Sequence, residues 1–267
     1  MALHRVHSAR SARAHGRTGC LVALAQSAEH WIVAPEVTGS IPVGHPNSPD
    51  HGPCRLVTIA APARSELEAA VSKVIALMSM SLDGFVADPD DNPSAVFDWY
   101  FNSGEVAVPV GGADPMTFHV SEPSARHLHE LTSGLGAMLT GRRTFEVADG
   151  WGGTHAWGPA FVVTHEVPAG WPRPGSTVHF VTDGIESAVR QAKAAAGGRN
   201  VAVHGADTIQ QCLNAGLLDE LQVDVAAVLL GSGIRLFDHL SAPVVLGSPT
   251  VVAGTGVTHL NYPVHRG

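Results

Sequence analysis

Residues 136–151 read GAMLTGRRTFEVADGW. An apolar run of strand length ends in Gly141, and a helical pattern begins at once with Arg142 and Arg143 in its first turn. A strand that passes through glycine straight into a helix is the repeating joint of α/β proteins. The joint recurs at NVAVHGADTIQQCLNAGLLDEL, residues 200–221, where a strand ends at His204-Gly205 and Ala206-Asp207 open a helix. A third strand, in FVVTHEVP at 161–168, ends at Thr164-His165.

Outward from these joints the hydrophobic periods predict strands over 74–79, 136–140, 160–164, 178–181 and 200–204. They predict helices over 122–132, 142–148, 184–196 and 206–216. Apolar residues at 185, 188, 189, 192 and 196 form one helical stripe, which Gly197-Gly198 ends. Strands alternating with helices imply a largely parallel sheet with helices on both faces. The tail differs: 220–229, 243–252 and 256–262 read as strands with no helix between them, and Gly254-Thr255-Gly256 turns a closing hairpin. The expected fold is therefore α/β, mostly parallel, with antiparallel strands at its C-terminal end.

Composition excludes several function classes. The 267 residues are 45% apolar and 15% charged, enough for a sizeable core. A formal charge of −8 argues against a general nucleic-acid binder. No apolar run approaches the ~20 residues of a membrane helix. Three distant cysteines, Cys20, Cys54 and Cys212, give neither a disulfide framework nor a zinc pattern, and a reducing compartment is the default. The sixteen histidines show no metal-binding spacing, and His127 and His129 cannot share a helix face, so no metal is expected. No G-x-S-x-G or Cys-His signature points to a hydrolase.

The joints carry the chemistry. Backbone amides at a helix N-terminus attract anions, and Gly141 lets a phosphate approach closely. Arg142 and Arg143 oppose the helix dipole there, a local cost that a bound phosphate offsets; the ordinary alternative is a solvated Arg pair. Two such joints at the carboxyl ends of parallel strands suit a dinucleotide pyrophosphate, although a connecting turn is the plain alternative for the second. G-x-G-x-x-G is absent. Thr164 and His165 can hydrogen-bond a ribose or phosphate, although a histidine there is more often simply exposed. SLDG at 81–84 contains the turn pair Asp83-Gly84.

In this order, SLDG (81–84), AMLTGRRTFE (137–146), FVVTH (161–165), VHGADT (203–208) and AGLLDELQVDVAAVLLGSGIRLF (215–237) resemble the dihydrofolate-reductase-like superfamily. The closer likeness is to the RibD C-terminal reductase domain of riboflavin biosynthesis and its stand-alone relatives, over about 73–262. The resemblance implies a central sheet of about eight strands, NADPH as cofactor, a small-molecule substrate, homodimers and a cytoplasmic location. It implies that Gly141, Arg142, Arg143 and Thr144, then Thr164 and His165, then Gly205, Ala206, Asp207 and Thr208 line the cofactor site. An arginine at 142 or 143 would meet a 2′-phosphate. It places Ser81 near the substrate and makes Asp83 and Asp149 the candidate catalytic acids. The insertion at about 91–121, with Asp98 and Trp99, lies where a substrate lid would be.

Authentic dihydrofolate reductases carry an acid on the helix before the GRRTF-like motif. Here that neighbourhood is Ala125-Arg126, with Glu122 the nearest acid, which points away from folate. The H-x-E…P-C-x-x-C deaminase motif is also missing. The expected activity is hydride transfer to a pterin- or aminopyrimidine-like heterocycle, of the 5-amino-6-(5-phosphoribosylamino)uracil reductase type. The alternative is an NADPH-binding sensor or assembly protein without turnover.

Residues 1–72 stand apart, with net charge +1 against −9 for the rest, and prolines at 35, 42, 46, 49, 53 and 62. MALHRVHSARSARAHGRTGCLVALAQ imitates an export signal, but its apolar stretch CLVALA is shorter than the roughly 7–15 residues required. AQSAEHWIVAPEVTGSIPVGHP (25–46) instead resembles a transfer-RNA gene read in frame. Ala25–His30 matches a D-arm and Gly39–Pro42 a T-arm, at about the right separation. This segment is expected to be disordered or spurious, with a true start at Val71, and the capping-box pattern at Ser65 accidental.

Overall fold

The structure, a computed structural model, describes residues 72–110 and 116–265. Expectations that fall on residues 1–71, including the Ser65 capping box, Cys20 and Cys54, lie outside the described residues.

In chain order the elements are β1 (Val74–Ser81), β2 (Phe85–Ala87), α1 (Ser94–Phe97), α2 (Trp99–Asn102), β3 (Val106–Val110), β4 (Met116–Val120), α3 (Glu122–Ser133) and β5 (Leu135–Gly141). These are followed by α4 (Arg142–Val147), β6 (Ala160–Val163), β7 (Val178–Val181), α5 (Ile185–Ala195), β8 (Asn200–His204) and α6 (Ala206–Asn214). Then come β9 (Glu220–Ala226), β10 (Ile234–Arg235), β11 (Thr250–Gly254) and β12 (Val257–Pro263). Eight strands form one sheet in the order β11-β12-β9-β1-β8-β5-β6-β7. The pairs from β9 to β7 are parallel, and β12 pairs antiparallel with both β9 and β11. This is the expected mostly parallel sheet with an antiparallel C-terminal edge.

Period-two alternation explains why both faces are covered. On β1, Val74 and Ala76 join one core with α5 and α6, while Ile75 and Leu77 join another cluster, against which Leu131 of α3 packs. On β8, Val201 and Val203 face the first core and Ala202 the second. Burying a strand on both faces requires near-continuous apolar sequence, which is why these segments read so clearly.

Several expectations are corrected. The tail strand expected over 243–252 is confined to Thr250–Gly254, and the segment before it contributes only an isolated Leu246–Val264 bridge. Proline and glycine at 243 and 247 interrupt the ladder there. Short β2 pairs with β10, and β3 with β4, outside the main sheet; none of the four was expected from the sequence periods. The insertion folds as α1, α2 and the β3–β4 hairpin. Its aromatic residues share a core with Ala226 of β9 and Val257 of β12, with Trp99 stacked on Tyr100 at 3.8 Å and Phe101 edge-on to Phe118. Among the described residues no helix is long and apolar enough to cross a membrane.

Candidate active site

A cavity of about 860 Å³ opens where β5, β6 and β8 end. That is the size of a cofactor or substrate site. Its lining includes all ten positions expected to hold a cofactor: Gly141–Thr144 after β5, Thr164 and His165 after β6, and Gly205–Thr208 after β8. The two strand-to-helix joints meet face to face. A Cβ on Gly141 would lie 2.9 Å from the Thr208 hydroxyl, and one on Gly205 would lie 2.9 Å from the Thr144 hydroxyl. Gly205 also has φ +89°, a conformation that side-chain-bearing residues rarely adopt. The glycines thus leave a gap bounded by two threonine hydroxyls and by the amino end of the nine-residue α6. That chemistry and size fit a phosphate-bearing dinucleotide. At the first joint α4 is only six residues long, so its dipole is slight and the arginines matter more.

Both guanidiniums line the cavity, and both are already paired. Arg142 reaches Glu146 at 2.7 Å and Glu166 at 3.3 Å, contacts that push its pKa further up. Arg143 is bound to Asp91, across the mouth, while its side chain stays 69% exposed. Thr164 donates to the Glu166 carbonyl at 2.8 Å, which fixes the turn carrying His165 and Glu166. His165 and Asp207 are exposed, and Asp207 accepts a hydrogen bond from Gln211 at 2.6 Å.

The five residues expected on the substrate side are elsewhere. None of Ser81, Asp83, Asp98, Trp99 or Asp149 lines this cavity. Ser81 is fully buried; its hydroxyl donates to Asp83 at 2.6 Å and accepts from the Phe85 N–H at 3.0 Å. Asp83 also accepts from the backbone N–H groups of Leu230 and Gly231, at 3.1 and 2.7 Å. Its pKa is lowered to about 2, chiefly by the Ser81 hydrogen bond. SLDG and LLGSG are therefore two halves of one clamp. Asp98 is exposed and accepts from Asn102 at 2.6 Å. Trp99 is 3% exposed and donates to Ser79 at 3.3 Å.

Asp149 is exposed at the start of a left-handed turn, where φ is 47, 60, 52, 64 and 102° at five successive residues. A side chain on Gly150 would strike Trp171 and Phe145, at 2.5 and 2.8 Å. The turn buries Trp151 and swings the chain so that His155 and Trp157 enter the cavity wall. These two residues, with His204, were not identified from sequence. A lone histidine in THAWG has no spacing signal, and only the turn aims it inward. Burial lowers the pKa of His155 to about 3, with His204 adding to the effect, and lowers that of His204 to about 4 against the field of Asp224.

A second polar group lies behind β1. Asp224 on β9 meets His259 on β12 at 2.7 Å, and His259 meets Ser124 on α3 at 2.9 Å, all nearly buried. The ring of His127 stacks on His259 at 4.4 Å. The donor atoms of His127, Asp224 and His259 lie within 4.8 Å of one another, a grouping that the histidine spacing did not reveal. Both nitrogens of His259 are engaged in hydrogen bonds, one with Asp224 and one with Ser124. Asp224, His259 and Ser124 act as a hydrogen-bonded clasp between helix and sheet edge.

Comparison with family models matches the RibD C-terminal domain over residues 72–262. No curated protein matches the chain. Among solved structures it is similar to a riboflavin biosynthesis protein from Shewanella sp. PV-4, at 22% identity and TM-score 0.53 over 73% of this chain and 99% of that one. It is also similar to the deaminase/5-amino-6-(5-phosphoribosylamino)uracil reductase of Thermotoga maritima, at 13% identity and TM-score 0.48 over 73% of this chain and 57% of that one. A third is the riboflavin biosynthesis reductase Rib7 of Saccharomyces cerevisiae, at 16% identity and TM-score 0.44 over 73% and 91%. With the family model spanning 72–262, well over half of the chain, the chain belongs to the RibD C-terminal domain family of reductases.

Proposed function

We propose that the protein uses NADPH to reduce an aminopyrimidine- or pterin-like heterocycle. The observation that carries this reading is the pair of glycine joints, Gly141 facing Thr208 and Gly205 facing Thr144, at one end of a cavity large enough for both partners. Gly141–Thr144 and Gly205–Thr208 would hold the pyrophosphate, Thr164 and His165 a ribose, and Arg143 the 2′-phosphate. Arg143 is the better candidate of the two arginines because a single carboxylate holds it, whereas two hold Arg142. NADPH supplies the hydride when bound; the chain supplies orientation and an apolar, water-poor wall of Met78, Val86, Phe97 and Met138.

One observation favours the alternative of a nucleotide-binding protein without turnover. Every carboxylate lining the cavity is already engaged: Asp91 with Arg143, Glu166 with Arg142, and Asp207 with Gln211. Proton delivery then falls to solvent or to a cavity histidine. Nicotinamide fluorescence on titration with NADPH, followed by oxidation assays on aminopyrimidines and pterins, separates the readings. Binding with turnover supports the reductase, binding without turnover supports the alternative, and absence of binding overturns both.

A further inference from the structure

Away from the cavity, alternation along β9 and β12 brings four polar side chains to one face of the sheet. Gln222 and Asp224 lie two apart on β9, and their register partners on β12 are Asn261 and His259. Helix α3 packs over this face, where Ser124 meets His259 at 2.9 Å and the ring of His127 stacks on that of His259 at 4.4 Å. Asp224 is 5% exposed and His259 1%. The Asp224 carboxylate meets His259 at 2.7 Å and accepts from the Gln222 amide at 3.0 Å, and among the described residues no lysine or arginine pairs with it. A carboxylate buried without a cation is costly.

Three buried atoms on these residues lack a hydrogen-bond partner: His127 Nε2, Gln222 Oε1 and Asn261 Oδ1, half of the six such side-chain atoms among the described residues. The two amide oxygens carry lone pairs, and so does the imidazole nitrogen when the proton is on Nδ1. Unpartnered lone pairs gathered beside a buried carboxylate point to a cation. These atoms have no open space before them, which excludes a molecular ligand but not an ion. Donor atoms touch a bound ion at about 2.0–2.2 Å, so the site needs no solvent-filled cavity. The donor atoms of His127, Asp224 and His259 already lie within 4.8 Å of one another. Donors around a four-coordinate ion are about 3.3 Å apart, a spacing that these side chains reach by moving about an ångström.

We propose that His127, Asp224 and His259 bind one divalent transition-metal ion of the zinc type, which ties α3 to β9 and β12. Two imidazoles and one carboxylate suit zinc and its neighbours, whereas magnesium and calcium take oxygen ligands. The ion sits between Asp224 and His259 Nδ1, in place of the proton they share. The His259 ring then carries its proton on Nε2 and donates it to Ser124, which fixes the ring as a ligand. The Gln222 amide N–H keeps the carboxylate oriented, and its unpartnered oxygen is available as a fourth ligand. Ligands drawn from α3, β9 and β12 leave no spacing signal in the sequence. None of these residues lines the cavity, so the site stands apart from the reductase reading.

The test is calorimetric titration of the full-length, chelator-stripped protein with zinc chloride. His127→Ala removes a ligand that takes no part in the clasp, and is expected to weaken zinc binding by at least about 100-fold, the upper end of what loss of a mere supporting residue costs. His239→Ala, at a histidine whose side chain is 80% exposed, serves as the control and is expected to leave the affinity unchanged. Cobalt(II) absorption of the parent protein tests the site without a variant. The strong visible bands of a four-coordinate ion, with no thiolate charge-transfer band, are expected. Absence of zinc binding, equal affinity in the parent and His127→Ala proteins, only the faint bands of six-coordinate cobalt, or a thiolate band that puts the ion on cysteine each overturns the proposal.

Discussion

Asp83 accepts hydrogen bonds from one side chain and two backbone N–H groups, and the segments it joins are nearly 150 residues apart. Because its folded pKa, about 2, lies below the unfolded value of 3.8, it contributes stability that is fully present above the unfolded value. That contribution is lost as pH falls through the folded value. Asp83→Asn is therefore expected to lower the melting temperature by about 2–4 °C near neutrality. The deficit should shrink as pH falls from 4 to 2, a trend that scanning calorimetry across that range would check. A catalytic acid would show the opposite emphasis, with lost turnover and an unchanged melting temperature.

At the scale of elements, the clasp of Ser124, His259 and Asp224 fastens α3 to β12 and β9. Gln222 adds a hydrogen bond to Asp224 at 3.0 Å, and the edge of the Trp99 ring closes over His259 at 5.1 Å. Removing one partner of a buried pair strands the other in an apolar setting. Asp224→Ala is expected to cost about 3–5 kcal/mol in urea unfolding, while Ser124→Ala costs about 1 kcal/mol, the worth of one ordinary hydrogen bond. Equal costs for the two would show that the charge is not what holds the clasp.

For the molecule as a whole, the contact of Arg143 with Asp91 spans the cavity mouth and joins the turn after β2 to the helix after β5. Net charge is −8, so an incoming dinucleotide meets general repulsion that local cations must overcome. If Arg143 meets a 2′-phosphate, Arg143→Ala weakens NADPH about ten-fold or more, the worth of a charge-assisted hydrogen bond, and leaves NADH within about two-fold. Asp91→Asn moves NADPH the other way by freeing the guanidinium. Paired fluorescence titrations with the two nucleotides measure both effects, and a similar loss for NADH would exclude contact with the 2′-phosphate.

The order of strands and helices was legible from sequence because parallel strands buried on both faces need continuous apolar runs, and the glycine joints interrupt those runs at fixed places. So the joints at Gly141 and Gly205, whose residues line the cavity, could be marked from the sequence, along with the family. Short elements such as β2 and β10 carry too few residues to show a period. The hydrogen-bond partners of Asp83 and Trp99 were not legible, because they are distant in sequence: Leu230 and Gly231 for Asp83, Ser79 for Trp99. His155 and Trp157 reach the cavity through a left-handed turn whose geometry depends on packing of Gly150 against Phe145 and Trp171. The sequence by itself determined the sheet and where its two glycine joints would fall, since both follow from local pattern. Tertiary structure alone decided which distant polar groups pair, such as Asp83 with Leu230 and Gly231 and His259 with Asp224, since those contacts exist only in the assembled fold.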